Sequence, residues 1–217
     1  GEFIFDQQWA EAAYMSGIQY YPKLLVAVPY TPAAGARILV KPSIEENLKA
    51  KIIRSVGNYL KTVAEKSGLS SVHVNFCSDS ETEALKNEGF YHRKSLQYHW
   101  KNKKYLDFSD YLNDFPSKRR IKIKRERRSV TDTQEGGVTL KIYRGNEISE
   151  DLLSSMYKIY KTTIDKNPYG RLYLNEQFFL RLNNDFKKNL CFICAEKEGK
   201  IFGGTFNVVK ADRFYGR

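Results

Sequence analysis

A run of cations near the middle of the chain limits how it can fold more than any other feature. Residues 117–130 read "SKRRIKIKRERRSV", in which eight Lys and Arg residues outweigh the single acid Glu126, a net +7 within a chain of +11. Because charge of this density stays in water, a core has to form on either side of the run. Ile121 and Ile123 alternate as in a strand, but the Arg and Lys content favours a helix, with Ser117 as its N-cap.

Upstream of the run, segments with the period of helices and of strands follow one another. "DQQWAEAAYMSG" is typical of a short helix that Asp6 caps and Gly17 ends. Apolar residues 24–28, which two prolines bound, indicate a strand buried on both faces. Ser43 and Glu46 have the spacing of a capping box and predict the start of a long amphipathic helix.

The alternation continues as far as Trp100. "SSVHVNF" alternates as a strand, and "ETEALKNE" is typical of a short helix with a second capping-box pair, Ser80 and Glu83. "FYHRKSLQYHW", residues 90–100, alternates again and predicts a long strand. Helix and strand patterns thus occur in the order expected of an α/β layer.

Downstream of the run, the predicted order is a strand, two helices and a hairpin. "GVTLKIYRG" alternates as a strand, and Ser149 is placed to cap the helix that follows it. Asn175 is placed to cap the next helix, whose buried face is predicted to consist of Phe178, Leu182 and Phe186 at spacing four. Each helix therefore has a defined start and one apolar side.

The hairpin "NLCFICAEKEGKIFGGTFNVV" closes this pattern. Gly203 and Gly204 lie inside its second strand and indicate a bulge or a close approach of another part of the chain. A third strand begins at "DRFYGR", and the sequence stops at Arg217 while the sheet is still incomplete. We therefore predict the α/β (α+β) class, with a mixed sheet flanked by helices.

The cysteines bear on redox compartment and on metal binding. Cys77, Cys191 and Cys194 are an odd number, which argues against a disulfide framework and for a reducing compartment, the cytoplasm or the interior of an organelle. Cys191 and Cys194 form a C-x-x-C pair inside a predicted strand, where residues three apart point to opposite faces. We therefore predict no metal site. No apolar run reaches the roughly 18 residues that a membrane span requires.

Eight segments, spread in order over nearly the whole chain, resemble one protein family. The family is the GNAT-like group of "peptidoglycan biosynthesis/recognition" proteins, which is related to the Fem-type aminoacyl transferases. The segments are "GEFIFDQQWAEAAY", "YYPKLLVAVPYTPAAGARIL", "SSVHVNF", "QYHWKN", "FSDYL", "SKRRIKIKRERRSV", "LYLNEQFF" and "FYGR". Since the chain opens without Met and stops in mid-sheet, we expect an internal fragment of such a protein.

The resemblance implies both an architecture and a reaction. Two GNAT-like (acyl-CoA N-acyltransferase) units would stand in tandem, with residues 1–105 closing the first, residues 106–136 forming a basic helical connector and residues 137–217 opening the second. The reaction would move an acyl or aminoacyl group from a thioester or a tRNA ester to an amine. The alternative is a non-catalytic binding or scaffold module that has lost its cofactor loop and docks on RNA or an acidic partner through residues 118–128.

A cofactor loop is implied by the same resemblance. GNAT enzymes hold the pyrophosphate of coenzyme A on backbone N–H groups of a loop of the form Gln/Arg-x-x-Gly-x-Gly/Ala. The counterpart here surrounds Gly35, so Thr31, Ala34, Gly35 and Arg37 would bind a coenzyme A thioester. However, Pro32 and Arg37 occupy the two ends of the motif, and Pro32 has no N–H to donate. These departures argue against coenzyme A in the first half.

The basic run is the candidate site for a polyanion. Cations along a helix neutralise phosphates without reading base sequence, and the Fem-type resemblance implies tRNA as the partner. The alternatives are a solvated connecting helix in which Ile121, Ile123 and Val130 pack, an acidic protein partner, and an anionic membrane surface. No aromatic residue lies inside the run, which weakens the case for RNA. The candidate residues are Lys118, Arg119, Arg120, Lys122, Lys124, Arg125, Arg127 and Arg128.

The sequence assigns no catalytic residue. In an acyltransferase a tyrosine can protonate the leaving group, and a carboxylate or histidine can deprotonate the amine, so Glu196 and His99 are candidate bases. Arg171, in the loop "KNPYGRLY", could contact a substrate. A packed and hydrogen-bonded tyrosine is more common than a catalytic one. The tyrosines considered are Tyr20, Tyr21, Tyr98, Tyr105, Tyr157, Tyr160, Tyr169 and Tyr173.

Overall fold

The structure, a computed structural model, describes residues 3–131, 137–168 and 170–216. It divides into two compact units, Gly1–Trp100 (unit 1) and Lys101–Arg217 (unit 2). Each unit contains helices and a β-sheet, which confirms the predicted α/β (α+β) class. The three-segment division at residues 105 and 136, and the GNAT-like character of the units, remain predictions. None of the described helices is long and apolar enough to cross a membrane.

The centre of unit 1 is a single strand–helix–strand motif. Its elements are α1 (Phe3–Met15), β1 (Leu24–Val26), α2 (Glu46–Lys66), β2 (Val72–Val74) and α3 (Asp79–Lys86). β1 and β2 pair in parallel, with Leu25 opposite His73, and α2 crosses between them. Ile53 of α2 and Leu85 of α3 lie in the core. Gly57 allows the two helices to meet, because a Cβ there would lie 2.7 Å from a methyl group of Leu85.

Two strand predictions for unit 1 are wrong. β1 spans three residues and is not buried on both faces, because no second layer of described residues covers the side on which Leu25 is 38% exposed. The strand predicted at residues 90–100 does not form, and Tyr91 and Tyr98 on this segment are almost fully exposed. An alternating pattern becomes a strand only beside a partner edge, and this segment pairs with no described strand.

Of the two predicted ends of α1, the C-terminal one is confirmed and the N-terminal cap is wrong. Gly17, with a φ of +68°, follows the helix as predicted. Asp6 does not cap it: the residue lies inside α1 at a kink, where its φ is −141°. Its buried carboxylate instead accepts hydrogen bonds from Lys23 and from the hydroxyl groups of Tyr20 (2.9 Å) and Tyr21 (3.2 Å). The carboxylate that was predicted to cap α1 therefore binds three side chains that lie 14 to 17 residues further along the chain.

The other two helices of unit 1 do not have the capping residues that the sequence predicts. Ser43 lies in a turn before α2, which begins without any side-chain cap. α3 has its capping box at Ser78 and Glu81 in place of Ser80 and Glu83. In this box the Ser78 hydroxyl accepts the N–H of Glu81, and the Glu81 carboxylate accepts the N–H of Ser78. The spacing alone could not show which of two overlapping pairs would act.

Unit 2 contains a four-stranded antiparallel sheet in the order β3-β4-β5-β6. Its strands are β3 (Thr139–Arg144), β4 (Leu190–Lys197), β5 (Lys200–Lys210) and β6 (Arg213–Gly216), and its helices are α4 (Phe108–Leu112), α5 (Ser117–Thr131), α6 (Glu150–Asp165) and α7 (Glu176–Asp185). Short 3₁₀ turns lie at Gly145–Glu147 and Lys187–Asn189. α6 and α7 pack on one face of the sheet, where Leu153, Phe179 and Phe192 form the centre of the core.

The sequence signals for α6 and β5 are confirmed. The Ser149 hydroxyl accepts the N–H of Leu152 (3.2 Å) and so caps α6. The register of β4 and β5 shifts between Ala195 and Glu196, which is the predicted irregularity. Gly204 also permits the predicted close approach, because a Cβ there would lie 2.9 Å from the sulfur atom of Met156 on α6.

The predicted core face of α7 is wrong, although its cap is right. Asn175 accepts the N–H of Phe178 (2.9 Å) and caps the helix. Phe178 and Phe186, however, are each 38% exposed, and the neighbouring Phe179 is the ring that lies in the core at 2% exposure. "QFFLRL" carries two overlapping apolar stripes, and packing against the sheet selects the one that contains Phe179.

The cysteines of β4 lie as predicted. Cys191 and Cys194 alternate across the strand, both are buried, and all three cysteines are free. Burial raises the pKa of Cys194 to about 11, so this thiol is protonated at neutral pH. Within the described ranges no group of three His, Cys, Asp or Glu side chains could hold a metal ion.

Replacing Phe179 with Ala is expected to destabilise unit 2 by about 3–5 kcal/mol, because the ring is buried and its loss leaves a cavity between α7 and the sheet. Phe178→Ala is the matched control on the same helix and should cost clearly less. Urea unfolding followed through backbone amide signals of β4 measures both variants. Equal losses would contradict the assignment of Phe179 to the core.

Candidate functional site

The residues predicted to bind coenzyme A lie on the loop between β1 and α2 in unit 1. The N–H of Gly35 donates to the carbonyl oxygen of Phe76 at 2.9 Å, and the N–H of Thr31 donates to that of Val28 at 3.3 Å. The Thr31 hydroxyl donates to the Pro29 carbonyl at 2.9 Å. These donors hold the loop against itself and against the segment after β2.

Arg37 is the cation next to Gly35 on this loop, and its guanidinium group turns toward the protein. Nε donates to the carbonyl oxygen of Asn75 at 2.8 Å, Nη1 donates to that of Ala36 at 3.2 Å, and Nη2 donates to that of Ala33. All three nitrogen atoms of the guanidinium group therefore donate to backbone carbonyl groups, which makes the group less available to a phosphate.

Glu81 accepts hydrogen bonds from two further backbone N–H groups of the loop. Its Oε1 atom accepts the N–H groups of Arg37 and Ile38, both at 2.7 Å. Its Oε2 atom accepts the N–H and the hydroxyl group of Ser78, both at 2.8 Å. Glu81 comes from the first turn of α3 and is only 2% exposed. One buried carboxylate thus joins the loop to the start of α3 through four hydrogen bonds.

The charge of Glu81 is maintained in spite of its burial. Burial by itself would raise the pKa of this carboxyl group, because a charged group loses hydration. The hydrogen bonds from Ile38, Ser78 and Arg37 favour the ionised form and more than compensate, so the pKa of Glu81 lies below its ordinary value. The carboxylate is therefore ionised at neutral pH.

The loop does not fit coenzyme A. The pyrophosphate of that cofactor needs free backbone N–H groups, and here the N–H groups of Gly35, Arg37 and Ile38 are bonded within the protein. Pro32 offers no N–H. α2 also begins with Glu45 and Glu46, whose charges oppose an anion at the helix N-terminus. The structure thus agrees with the departures from the motif that the sequence shows.

The basic run forms a helix, α5, as predicted. Ser117 is its first residue and not its N-cap. The carbonyl oxygen of Pro116, which precedes it, accepts the N–H groups of Arg119 and Arg120 at 2.9 and 3.1 Å. The prediction placed the helix start one residue too late, a common difference because caps and first turns share the same polar residues.

None of the described residues of α5 is buried. Ile121 is 65% and Val130 is 46% exposed, so of the three apolar residues expected to pack, only Ile123 is half-buried. At 3.6 residues per turn, the eight cations fall on every side of the helix. α5 therefore presents positive charge all round and not along one face.

Three cations of the run have contacts within unit 2. Arg120 Nη1 donates to the carbonyl oxygen of Phe115 at 2.8 Å, and Lys122 lies 3.7 Å from Glu126. The Arg127 guanidinium lies over the ring of Phe108, 3.8 Å from its centre. The remaining cations are exposed and form no ion pair with the described residues: Lys118, Arg119, Lys124, Arg125 and Arg128.

An aromatic cluster lies directly beside α5. Tyr111 of α4 is surrounded by Tyr105, Phe108 and Phe115, with ring centres 5.3, 5.7 and 5.1 Å away. Phe108 keeps 38% of its surface exposed and meets Arg127, so the cluster is in contact with the basic helix. Aromatic rings next to exposed cations are a combination that single-stranded nucleic acids bind by stacking and charge.

The basic run by itself does not reveal this cluster, because no aromatic residue lies inside the run. The signal lies upstream, where Phe108, Tyr111 and Phe115 recur at spacings of three and four, the period of a helix. Only the contact between Arg127 and Phe108 shows that this stripe and the basic run belong together.

A polar cluster holds the chain just before α4. Lys103 Nζ lies 2.8 Å from the Asp114 carboxylate, and the Tyr105 hydroxyl donates to the same group. The hydrogen bonds from Lys103 and Tyr105 lower the pKa of Asp114, and its carboxylate raises the pKa of Lys103. All three side chains remain hydrated, so the cluster positions Tyr105 and contributes little stability.

Glu196, a candidate base, is buried on the sheet of unit 2 at 6% exposure. It accepts hydrogen bonds from Lys141 Nζ at 2.6 Å and from the Tyr143 hydroxyl. These two bonds, that of Lys141 first, lower the pKa of Glu196. A carboxylate with a lowered pKa and two donors already bound is a weak proton acceptor, so the geometry does not favour Glu196 as a base.

The other catalytic candidates have the contacts of packed or exposed side chains. His99 is exposed, with Nε2 3.1 Å from the amide oxygen of Gln97. The Tyr160 hydroxyl accepts the N–H of Tyr173 at 3.3 Å. Arg171 is exposed, and Tyr169 lies outside the described residues. The catalytic residue stays unassigned.

Comparison with protein families matches residues 1–217 to the FemAB-like model, which is described as peptidoglycan biosynthesis/recognition. The match covers the whole chain and confirms the resemblance that the eight sequence segments indicate. It does not test the GNAT-like part of that prediction. Comparison with curated proteins and with solved structures gives no match.

The Glu81→Gln variant is expected to lose about 2–3 kcal/mol of stability at neutral pH, because four hydrogen bonds lose their charged acceptor. The lowered pKa of Glu81 stabilises the wild type above the unfolded-state pKa of about 4.3, and this contribution disappears as the pH falls through the folded-state pKa. The two proteins should therefore converge in acid. Urea unfolding across this pH range measures the difference.

Glu83→Gln is the matched control for this experiment. Glu83 lies on the same helix but is exposed, and among the described residues its carboxylate pairs with Lys86 alone, so its replacement should cost about 0.5 kcal/mol or less. An equally small loss for Glu81→Gln, or a loss that is the same in acid and at neutral pH, would show that the Glu81 charge does not stabilise the loop.

Proposed function

The chain belongs to the FemAB-like family, described as peptidoglycan biosynthesis/recognition, and on that premise we propose that it takes part in the transfer of an aminoacyl group from a tRNA ester to an amine of a peptidoglycan precursor. The observation that carries the choice of donor is α5, which exposes cations on every side next to an aromatic cluster. This is the surface of unit 2 best suited to a nucleic acid.

The loop of unit 1 supports a tRNA ester over a coenzyme A thioester. The N–H groups of Gly35, Arg37 and Ile38 and the Arg37 side chain are bonded within the protein, so these donors would not be free to bind a pyrophosphate. An aminoacyl-tRNA does not need this loop, because its many phosphates can be neutralised on α5. The bonded loop of unit 1 and the cations of α5 therefore both favour a tRNA ester as the acyl donor.

The five cations of α5 that form no ion pair with the described residues, Lys118, Arg119, Lys124, Arg125 and Arg128, would act as phosphate contacts. Each contact releases counterions from the nucleic acid, so affinity depends steeply on salt. Arg120 and Arg127 would have another role, since they join α5 to Phe115 and Phe108. Phe108 and the Arg127 guanidinium plane beside it offer a stacking surface for an unpaired base.

The proposed reaction is an ester aminolysis. The amine nitrogen of the acceptor attacks the ester carbonyl carbon, and the bond between that carbon and the terminal ribose oxygen of the tRNA breaks. The amine loses a proton and the ribose oxygen gains one, so the products are an amide and a free tRNA. Positioning of the two substrates and backbone N–H groups aimed at the carbonyl oxygen would supply most of the rate enhancement.

A second candidate function is a binding or scaffold module without catalysis. Glu81 favours it, because a loop closed by the protein's own carboxylate no longer offers a cofactor site. In this case α5 would dock on RNA or on an acidic partner, and no acyl group would move. Incubation with a tRNA charged with a radiolabelled amino acid and a peptidoglycan precursor distinguishes the candidates: binding without a new amide supports the module.

Neutralising four exposed cations of α5 is expected to weaken tRNA binding and to flatten its salt dependence. The variant replaces Arg119, Lys124, Arg125 and Arg128 with Gln and leaves in place Arg120 and Arg127, which contact Phe115 and Phe108. If all four touch phosphates, the slope of log affinity against log salt should fall by about 3–4. Fluorescence anisotropy with labelled tRNA at several salt concentrations measures this slope.

The matched control replaces four other exposed lysines of unit 2, Lys158, Lys161, Lys166 and Lys200, with Gln. It changes the net charge by the same amount but leaves α5 intact, so its salt slope should stay close to that of the wild type. Equal effects of the two variants would mean that net charge and not α5 determines binding. An unchanged slope in the α5 variant would exclude α5 as the contact.

A further inference from the structure

The loop between β1 and α2 has the donor arrangement of an anion site. The N–H groups of Arg37 and Ile38 are consecutive and point at one oxygen atom, each at 2.7 Å. Consecutive backbone N–H groups that converge in this way form a concavity in which proteins bind phosphate and other anions. In this chain the anion is the carboxylate of Glu81.

This carboxylate is fully satisfied. Each of its oxygen atoms accepts two hydrogen bonds, the second pair coming from the N–H and the hydroxyl group of Ser78. Glu81 is 2% exposed, so neither water nor a solute has access to the donors. Its position in the first turn of α3 adds the favourable end of that helix dipole to the four bonds.

The rest of the loop is arranged around the same closed state. The Arg37 side chain donates to three carbonyl groups and draws Ala33, Ala36 and Asn75 together. Gly35 is bonded to Phe76 beyond β2. Bonds within the protein therefore hold the loop from both sides.

We propose that Glu81 is a built-in anion: it occupies the place of a ligand carboxylate or phosphate in this loop and closes unit 1 to coenzyme A and other free phosphates. The inference does not depend on the proposed function, since it concerns unit 1 whether or not the chain transfers an acyl group. Its consequence is that removal of the carboxylate leaves an empty anion site lined by four donors.

Chemical rescue tests the proposal. Glu81→Ala should lower the thermal midpoint of unit 1 in the full chain by roughly 10 °C, because four donors lose their acceptor. Propionate or inorganic phosphate at tens of millimolar should recover a large part of this shift. Propionamide, which has the same shape without the charge, and chloride at equal ionic strength should recover none of it.

Glu83→Ala is the control for rescue, since this exposed carboxylate leaves no enclosed site. Anions should change its midpoint no more than that of the wild type. Rescue of Glu81→Ala by propionamide as well as by propionate, or no rescue by any anion, would overturn the proposal.

A measurement on the wild type decides the question even if Glu81→Ala does not fold. The backbone amide NMR signals of Arg37 and Ile38 should be unchanged by acetyl-CoA or inorganic pyrophosphate at millimolar concentration. Both signals should move together in acid as Glu81 becomes protonated. Movement of these two signals on addition of acetyl-CoA would show that the loop is open to the cofactor and would overturn the proposal.

Discussion

Burial of a charged group is tolerated only where its lone pairs find donors, and the architecture of unit 1 depends on the way Glu81 meets this condition. Its carboxylate joins the loop after β1 to the first turn of α3, so segments 43 and 44 residues apart in sequence are held together by one anion. The capping of α3 and the engagement of the Arg37 and Ile38 N–H groups both depend on it.

α5 shows the opposite case, a set of charged groups with too few partners for burial. Its eight cations have too few acids nearby to be buried, so the helix remains in water and contributes almost nothing to the core. Two of its arginines nevertheless contact the preceding segment: Arg120 donates to the backbone carbonyl of Phe115, and Arg127 lies over the ring of Phe108 on α4. The charged helix is thereby held beside an aromatic cluster, and the resulting surface has a composition suited to nucleic acid.

Local signals in the sequence predicted part of this structure. Ser149 and Asn175 cap their helices because a side-chain oxygen next to a free N–H is a local interaction. The predicted strand at residues 90–100 fails for the opposite reason, since a strand needs a partner that the local pattern cannot supply. The choice of Phe179 over Phe178 for the core also depends on the sheet against which α7 packs.

The sequence by itself determined that the chain is mixed α and β, that residues 118–128 carry a dense positive charge, and that Pro32 and Arg37 flank Gly35. These properties depend on composition and on the order of neighbouring residues. Only the tertiary structure decided what fills the altered loop and what lies beside the basic helix. Glu81 and Phe108 reach these places through contacts distant in sequence, and neither periodicity nor spacing encodes which distant groups will meet.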